Sequence, residues 1–455
     1  MEFWESGAVL TILVVLTLLV SASILRRFVP FLKKSGVPTS IMAGVLGLIL
    51  GPGVLGWIPM DEATLRSIVY HGLALVFISV ALQRPSSGQK NAGVVSFSIG
   101  IPFLIGLQML VGLALVVLLM PKVHPGFGLM LPLGFEQGPG QALSLGAAWE
   151  DIGMENGASV GLIFAAIGFA WSIVIGIPLA AWGRRRGLCV APSNIEDQPV
   201  GSAVEAPKAM ADGGLDRLTI QIAMVGVVYL VTYFVSQGLY SSFAAKPAIA
   251  AMAWGFHFVF GAILAIGLRN ILVRIQQGHV LDNALLGRCS AVVVDVLTCA
   301  ALSAVEISVL QSNLVPIVVI TTVGGVITLL VVLWLSPRAF PEAPFEHSLV
   351  LFGSATGTMP MGLALLRIVD PQLRTSAAKS AVVGSSAAII GGAPIMMGML
   401  PIPINGWPDQ HPGASVLAIG LLSAYLLFLL ILWWKLGSLR VRWKPTSLWP
   451  STPPS

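Results

Sequence analysis

The chain has 455 residues, 56% of them hydrophobic and only 10% charged, with a formal net charge of +5 and a mean hydropathy of +0.89. A soluble domain carries about 25% charged residues, so the composition argues against a soluble enzyme and for an all-α polytopic protein whose apolar surface meets lipid. The positive balance does not mark a nucleic-acid partner, because the basic residues lie in short loops between apolar runs. Cys189, Cys289 and Cys299 have no metal-ligand spacing.

Met1 to Glu5 is acidic and reads as no cleavable signal. Apolar runs predict spans over 7–25, 40–58, 68–82, 94–119 and 157–182. The run 68–82 is short and reads as a tilted, locally thinned or partial span. A polar stretch with Pro192, Pro199, Pro207, Gly213 and Gly214 then reads as a flexible cytoplasmic linker, 183–218. Six further spans follow, over 219–239, 248–268, 282–303, 314–335, 376–399 and 414–434, which makes eleven crossings.

Two apolar stretches remain, 127–149 and 347–368, each interrupted near its middle by Gly and Pro. If both return to the side they came from, and the N-terminus lies outside, all 25 basic residues except Arg66, Lys122 and Lys246 fall inside. Making either stretch a full crossing spoils that division. Both therefore read as re-entrant hairpins, the first entering from outside and the second from inside. The chain is then a multi-pass protein of the cell's inner (plasma) membrane with a cytoplasmic C-terminus.

Each half now holds four spans, a hairpin and a fifth span, in opposite orientations: an inverted repeat of 1–182 and 219–400, with 401–455 an extra span and tail. An offset of 219 pairs Gly134 with Gly353, Gly138 with Gly357 and Asp151 with Asp370. Outside that offset, Pro38, opening the second span, has a counterpart in Pro247, opening the seventh.

A hairpin broken at mid-membrane exposes backbone groups that must be buried in protein or face a wet cavity. Half-helix N-termini suit a carboxylate, and exposed carbonyls suit a hard cation. The candidate substrate-binding residues are Gln137, Gly138, Gly140 and Gln141 in the first loop and Gly353, Ser354, Thr356, Gly357 and Thr358 in the second. The bland alternative is that the glycines only permit tight helix packing. Glu136 and Asp295 are the acidic residues placed deepest, where a charge costs about 2.5–3.5 kcal/mol. Glu136 reads as a cation ligand, a proton carrier or a device that rejects anions. Asp295 reads as a cation ligand, a proton carrier or a structural pair. Glu306 reads as interfacial, His71 and His257 as isolated packing histidines, Arg184 to Arg186 as topogenic, and Trp443 and Trp449 as interfacial anchors.

At these hairpins the chain resembles the bacterial sodium/glutamate symporter family. The residues that carry the resemblance are Gly138, Pro139 and Gly140 with Gly146-Ala147-Ala148-Trp149, then Gly353 through Gly357 with Thr358 and Pro360, and the segment around Val37, Pro38 and Gly44. The first loop departs from the family's Ser-, Gly- and His-rich pattern and reads Phe135-Glu136-Gln137-Gly138-Pro139-Gly140-Gln141. The resemblance implies a secondary active transporter with Na⁺ as coupling ion, no cofactor, and glutamate or a related amino-acid or carboxylate anion as substrate. It leaves a homodimer open. The competing readings are a proton-coupled organic anion transporter, a channel, and an intramembrane enzyme built on a Glu136–Asp295 pair for which no motif speaks.

Overall fold

The computed structural model describes residues 7–29, 36–84, 92–190, 215–244, 247–407, 412–436 and 439. Most of the linker, the basic residues after Lys435, and Trp443 and Trp449 lie outside the described residues. Among the described residues there is no strand, and eleven helices are long and apolar enough to cross a membrane. Ten of these correspond to predicted spans. The eleventh is the bent second hairpin, and the predicted span 40–58 is missing because its helix is short.

The first half contains α1 (Gly7–Phe28), α2 (Thr39–Leu50), α3 (Glu62–Leu82), α4 (Ala92–Leu119), α5 (Gly126–Phe135), α6 (Pro139–Glu150), α7 (Gly157–Val174) and α8 (Gly176–Arg185). The second contains α9 (Arg217–Ser242), α10 (Pro247–Gly255), α11 (His257–Arg274), α12 (Asn283–Ser303), α13 (Ile307–Ser312), α14 (Leu314–Ala339), α15 (Pro344–Val369) and α16 (Ser376–Ala393), and α17 (Pro401–Asn405) and α18 (Pro412–Lys435) follow it.

Three predicted spans are corrected. The helix of 40–58 stops at Leu50, where Gly51-Pro52-Gly53 breaks it, so α2 is about 18 Å long. The short run 68–82 is in fact a full-length helix of 21 residues, about 31 Å. Asp61 caps it, its side chain accepting from Thr64 N at 2.8 Å, and the polar first turn hid this start from a hydropathy reading. The span 248–268 is broken between α10 and α11 at Phe256.

Two helix groups emerge from the packing. In one, α1 packs on α2 as α9 packs on α11; α2 packs on α12 as α11 packs on α3; and α1 packs on α12 as α9 packs on α3. The α3–α12 contact lies at the centre of this paired pattern. The other group gathers α4, the α5–α6 and α15 hairpins, α7, α8, α14 and α16. Small residues let its backbones touch: a β-carbon on Gly128 would meet Leu113 N at 2.7 Å, and one on Gly134 would meet Ala165 N at 2.7 Å. The extra helix α18 packs on α4, where Trp433 Nε1 donates to Ser96 Oγ at 3.2 Å. The groups meet chiefly where α6 rests on α10 and α3.

Candidate functional site

Both interrupted stretches fold back on themselves. In hairpin 1, α5 and α6, a β-carbon on Gly126 would stand 3.0 Å from Trp149 Cε3, and one on Gly146 would stand 2.9 Å from Met130 Cε. A straight helix would hold Met130 and Gly146 about 24 Å apart. In hairpin 2, α15, a β-carbon on Gly353 would stand 2.7 Å from Gly362 Cα, and one on Gly362 would stand 2.5 Å from Val350 O. The helical path of α15 is broken at Gly357 (φ −146°, ψ 27°) and Thr358 (φ 68°, ψ 168°).

The open ends of the hairpins lie at opposite ends of the α7–α8 pair. Gly146 of hairpin 1 packs against Gly157 at the start of α7. Phe345 of hairpin 2 packs against Gly183 in α8, and Glu346 Oε1 accepts from Val190 N at 2.7 Å. The two turns therefore approach each other in the middle of the helix group. Gly168 in α7 sits between them, a β-carbon there being 2.9 Å from Phe135 Cδ1 and also against Thr356 O. At the crossing itself a β-carbon on Gly138 would stand 2.6 Å from Thr358 Cγ2.

Gly138 (φ 89°, ψ 178°) and Thr358 share a backbone conformation that L side chains avoid. This matches Gly138 with Thr358, one residue beyond the Gly138–Gly357 pairing read from sequence. The N-termini of both second arms, α6 and the part of α15 after Thr358, lie at this crossing. Their unpaired N–H groups and partial positive charge favour an anion there. Glu136 and Gln137 are half-buried between buried neighbours, and Thr358 and Met359 are half-buried beside exposed Pro360, so the crossing is reachable.

The first-loop polar side chains form one chain. Gln141 Nε2 donates to Gln137 Oε1 at 2.6 Å, and Gln137 Nε2 donates to Glu136 Oε2. Gly140 is closed over by Leu73 of α3, 2.8 Å from the place of its β-carbon. In the second loop, Thr356 Oγ1 donates to Phe352 O at 2.8 Å and lies 2.6 Å from Ser172 Oγ. Ser354 Oγ turns to Met359 Sδ at 3.6 Å. Gly353, Gly357 and these two hydroxyls are therefore packed into the hairpin, while Thr358 is the second-loop residue at its tip.

Asp295 is not at the crossing. It lies on the exposed face of α12 with Ala284, Arg288, Ala291 and Val292, and among the described residues no hydrogen bond or ion pair joins it to either hairpin. Glu306, read as interfacial from the sequence, is bonded: Arg66 of α3 and Ser159 of α7 both donate to it.

Sequence reasoning missed Gln108 in α4. It is buried, and its Nε2 donates to Thr328 Oγ1 at 3.0 Å and to Ala355 O at 2.8 Å, fastening the first arm of hairpin 2 to α4 and α14. A lone amide in a 28-residue apolar helix was the available signal.

A profile of the sodium/glutamate symporter family matches residues 5–340, which takes in hairpin 1 and Asp295 and ends before hairpin 2. No curated protein matches the chain. The family match covers well over half of the sequence, and eleven described helices are long and apolar enough to cross a membrane, so the chain belongs to the sodium/glutamate symporter family.

Proposed function

We propose that this protein couples the inward movement of Na⁺ to symport of glutamate or a closely related amino-acid anion, by alternating access. The observation that carries the reading is the meeting of the two hairpin breaks at Gly138 and Thr358. Two half-helix N-termini at that point offer N–H donors to a substrate carboxylate. Gly138 leaves the backbone open to close approach. Glu136, steadied by Gln137, supplies a carboxylate for the cation beside the anion, and Gln141 steadies Gln137.

In this reading the halves are inverted repeats, and both hairpins are re-entrant, the first from outside and the second from inside. The paired packing of α1, α2 and α12 with α9, α11 and α3 supports it. So do the opposed open ends of the hairpins and the placement of basic residues. The hairpin group then moves against the paired group, carrying the site across. Asp295 stands on a face of the paired group and acts on the ion in transit rather than at the crossing. Thermal-shift measurements on the purified protein test this directly. Na⁺ with glutamate raises the melting temperature, K⁺ with glutamate does not, and Gly138→Ala loses the response. Stabilisation by glutamate that ignores the cation would reject the coupling.

A further inference from the structure

His257 opens α11 directly after the break at Phe256, and it is 2% exposed. Its two ring nitrogens both meet carbonyl oxygens. Nδ1 lies 2.8 Å from Trp254 O, and Nε2 lies 3.1 Å from Tyr70 O. A carbonyl only accepts, and a neutral imidazole has one N–H and one lone pair. A neutral ring would therefore hold a lone pair against one of these oxygens, whereas an imidazolium donates to both.

His257 stands at the positive end of α11, but two other features of its surroundings favour a cation. The Tyr70 ring stacks on His257 at 4.0 Å between centroids and 16° between planes, which favours positive charge over the π face. Trp254 O and Gly255 O are the last carbonyls of α10, at the negative end of that helix. Tyr70 Oη also donates to Trp254 O, at 2.9 Å. Ser144 of hairpin 1 donates its proton to Gly255 O at 2.9 Å, which turns an oxygen lone pair toward Nδ1 at 3.4 Å. The other titratable neighbours are His71 on α3, edge-on to Tyr70, and Tyr229 on α9, hydrogen-bonded to His71 Nδ1. Among the described residues no hydrogen bond or ion pair joins a carboxylate, lysine or arginine to this set.

We propose that His257 is a proton-binding site that fastens hairpin 1 to the α10–α11 break, so that uptake and release of this proton accompany docking and undocking of α6. With the proton bound, Nδ1–H and Nε2–H hold Trp254, Tyr70 and Ser144 together across both helix groups. With the proton gone, one of these contacts becomes repulsive, and α6 is held less firmly. The site is separate from the hairpin crossing and does not depend on which solute the crossing takes.

The test is nitrogen NMR on full-length protein with labelled histidine, in which the His257 signal is assigned by its absence from His257→Gln. The expected result is an imidazolium, protonated on both nitrogens, at about pH 7. Ser144→Ala removes the oxygen facing Nδ1 and moves loss of that signal to lower pH; Ser144→Thr restores it. In proteoliposomes under a fixed Na⁺ gradient, the pH dependence of labelled glutamate uptake is reduced in His257→Gln. A neutral, singly protonated His257 from about pH 5 to 8 overturns the site. An unmoved titration in Ser144→Ala overturns the link to hairpin 1, and neither result touches the sodium-coupling reading.

Discussion

Gly138 and Thr358 meet at the crossing of the two hairpins, where a β-carbon on Gly138 would stand 2.6 Å from Thr358 Cγ2. Each holds a positive φ, 89° and 68°, on the first residue before its second arm. For a β-branched residue such a conformation costs on the order of 1–3 kcal/mol. Thr358 keeps it because the arms on either side are fixed by the Gly353–Gly362 contact and by Gln108. The strain therefore sits at the place where the two broken helices touch.

The first prediction follows from this contact. Gly138→Ala puts a methyl into Thr358 and into a disfavoured φ, so uptake falls by tenfold or more, a change of about 1.4 kcal/mol or greater. Thr358→Gly relieves the strain and raises the melting temperature. The double variant recovers part of the uptake lost by Gly138→Ala. Independent, additive effects in this cycle would show that the tips do not act on each other.

Gln108 carries the second prediction. Gln108→Leu leaves Thr328 Oγ1 and Ala355 O without their donor in a buried site. That costs about 1–3 kcal/mol and lowers the melting temperature. Gln108→Glu keeps the shape but replaces the donor with an acceptor facing Ala355 O, and is expected to be the worse of the two. A melting temperature equal to the wild type in Gln108→Leu would mean that hairpin 2 does not lean on this amide.

The third concerns Asp295. Its side chain is exposed and sits in no described hydrogen bond, so Asp295→Asn is expected to insert, purify and melt like the wild type. The effect falls on transport, as a weaker apparent Na⁺ affinity. Loss of yield or of melting temperature with unchanged Na⁺ dependence would make Asp295 a structural residue instead.

A fourth prediction uses the Arg66–Glu306–Ser159 cluster that ties α3 to α7. Burial opposes ionisation of Glu306, but hydrogen bonds from Glu62 and Ser159 and the Arg66 guanidinium hold its carboxyl below the usual carboxylate range. A carboxyl lowered in the folded state adds stability that is present above its ordinary value, about 4.3, and is lost as pH falls through the folded value. Below about pH 4 the wild type should therefore lose melting temperature more steeply than Glu306→Gln. Parallel acid profiles for the two proteins would remove Glu306 from the tie between the groups.

Most of the long helices could be read from the chain because lipid makes the rule simple: long apolar runs form membrane-length helices. The hairpin breaks were legible because Gly138-Pro139-Gly140 and Gly357 with Pro360 interrupt otherwise apolar stretches. The start of α3 was not, since Asp61 sets it by capping and the first turn is polar. The break at Phe256 was hidden because apolar residues run through it and its free carbonyls are satisfied by Tyr70, Ser144 and His257 from elsewhere. His257 read as isolated for the same reason. Its partners are Tyr70, 187 positions away in sequence, and Ser144, 113 positions away. The candidate site residues divide in a similar way. The glycines and the Glu136–Gln137–Gln141 chain announce themselves locally, whereas the roles of Gln108 and Ser172 exist only once hairpin 2 is folded against them.

Uptake of labelled glutamate into proteoliposomes holding the purified protein, under an imposed inward Na⁺ gradient, tests the central claim most directly. The account predicts concentrative uptake that collapses when the gradient is removed or when K⁺ replaces Na⁺, and that Gly138→Ala nearly abolishes although the variant is still inserted. Glutamate flux that only runs down its own gradient, at the same rate with and without Na⁺, would contradict it.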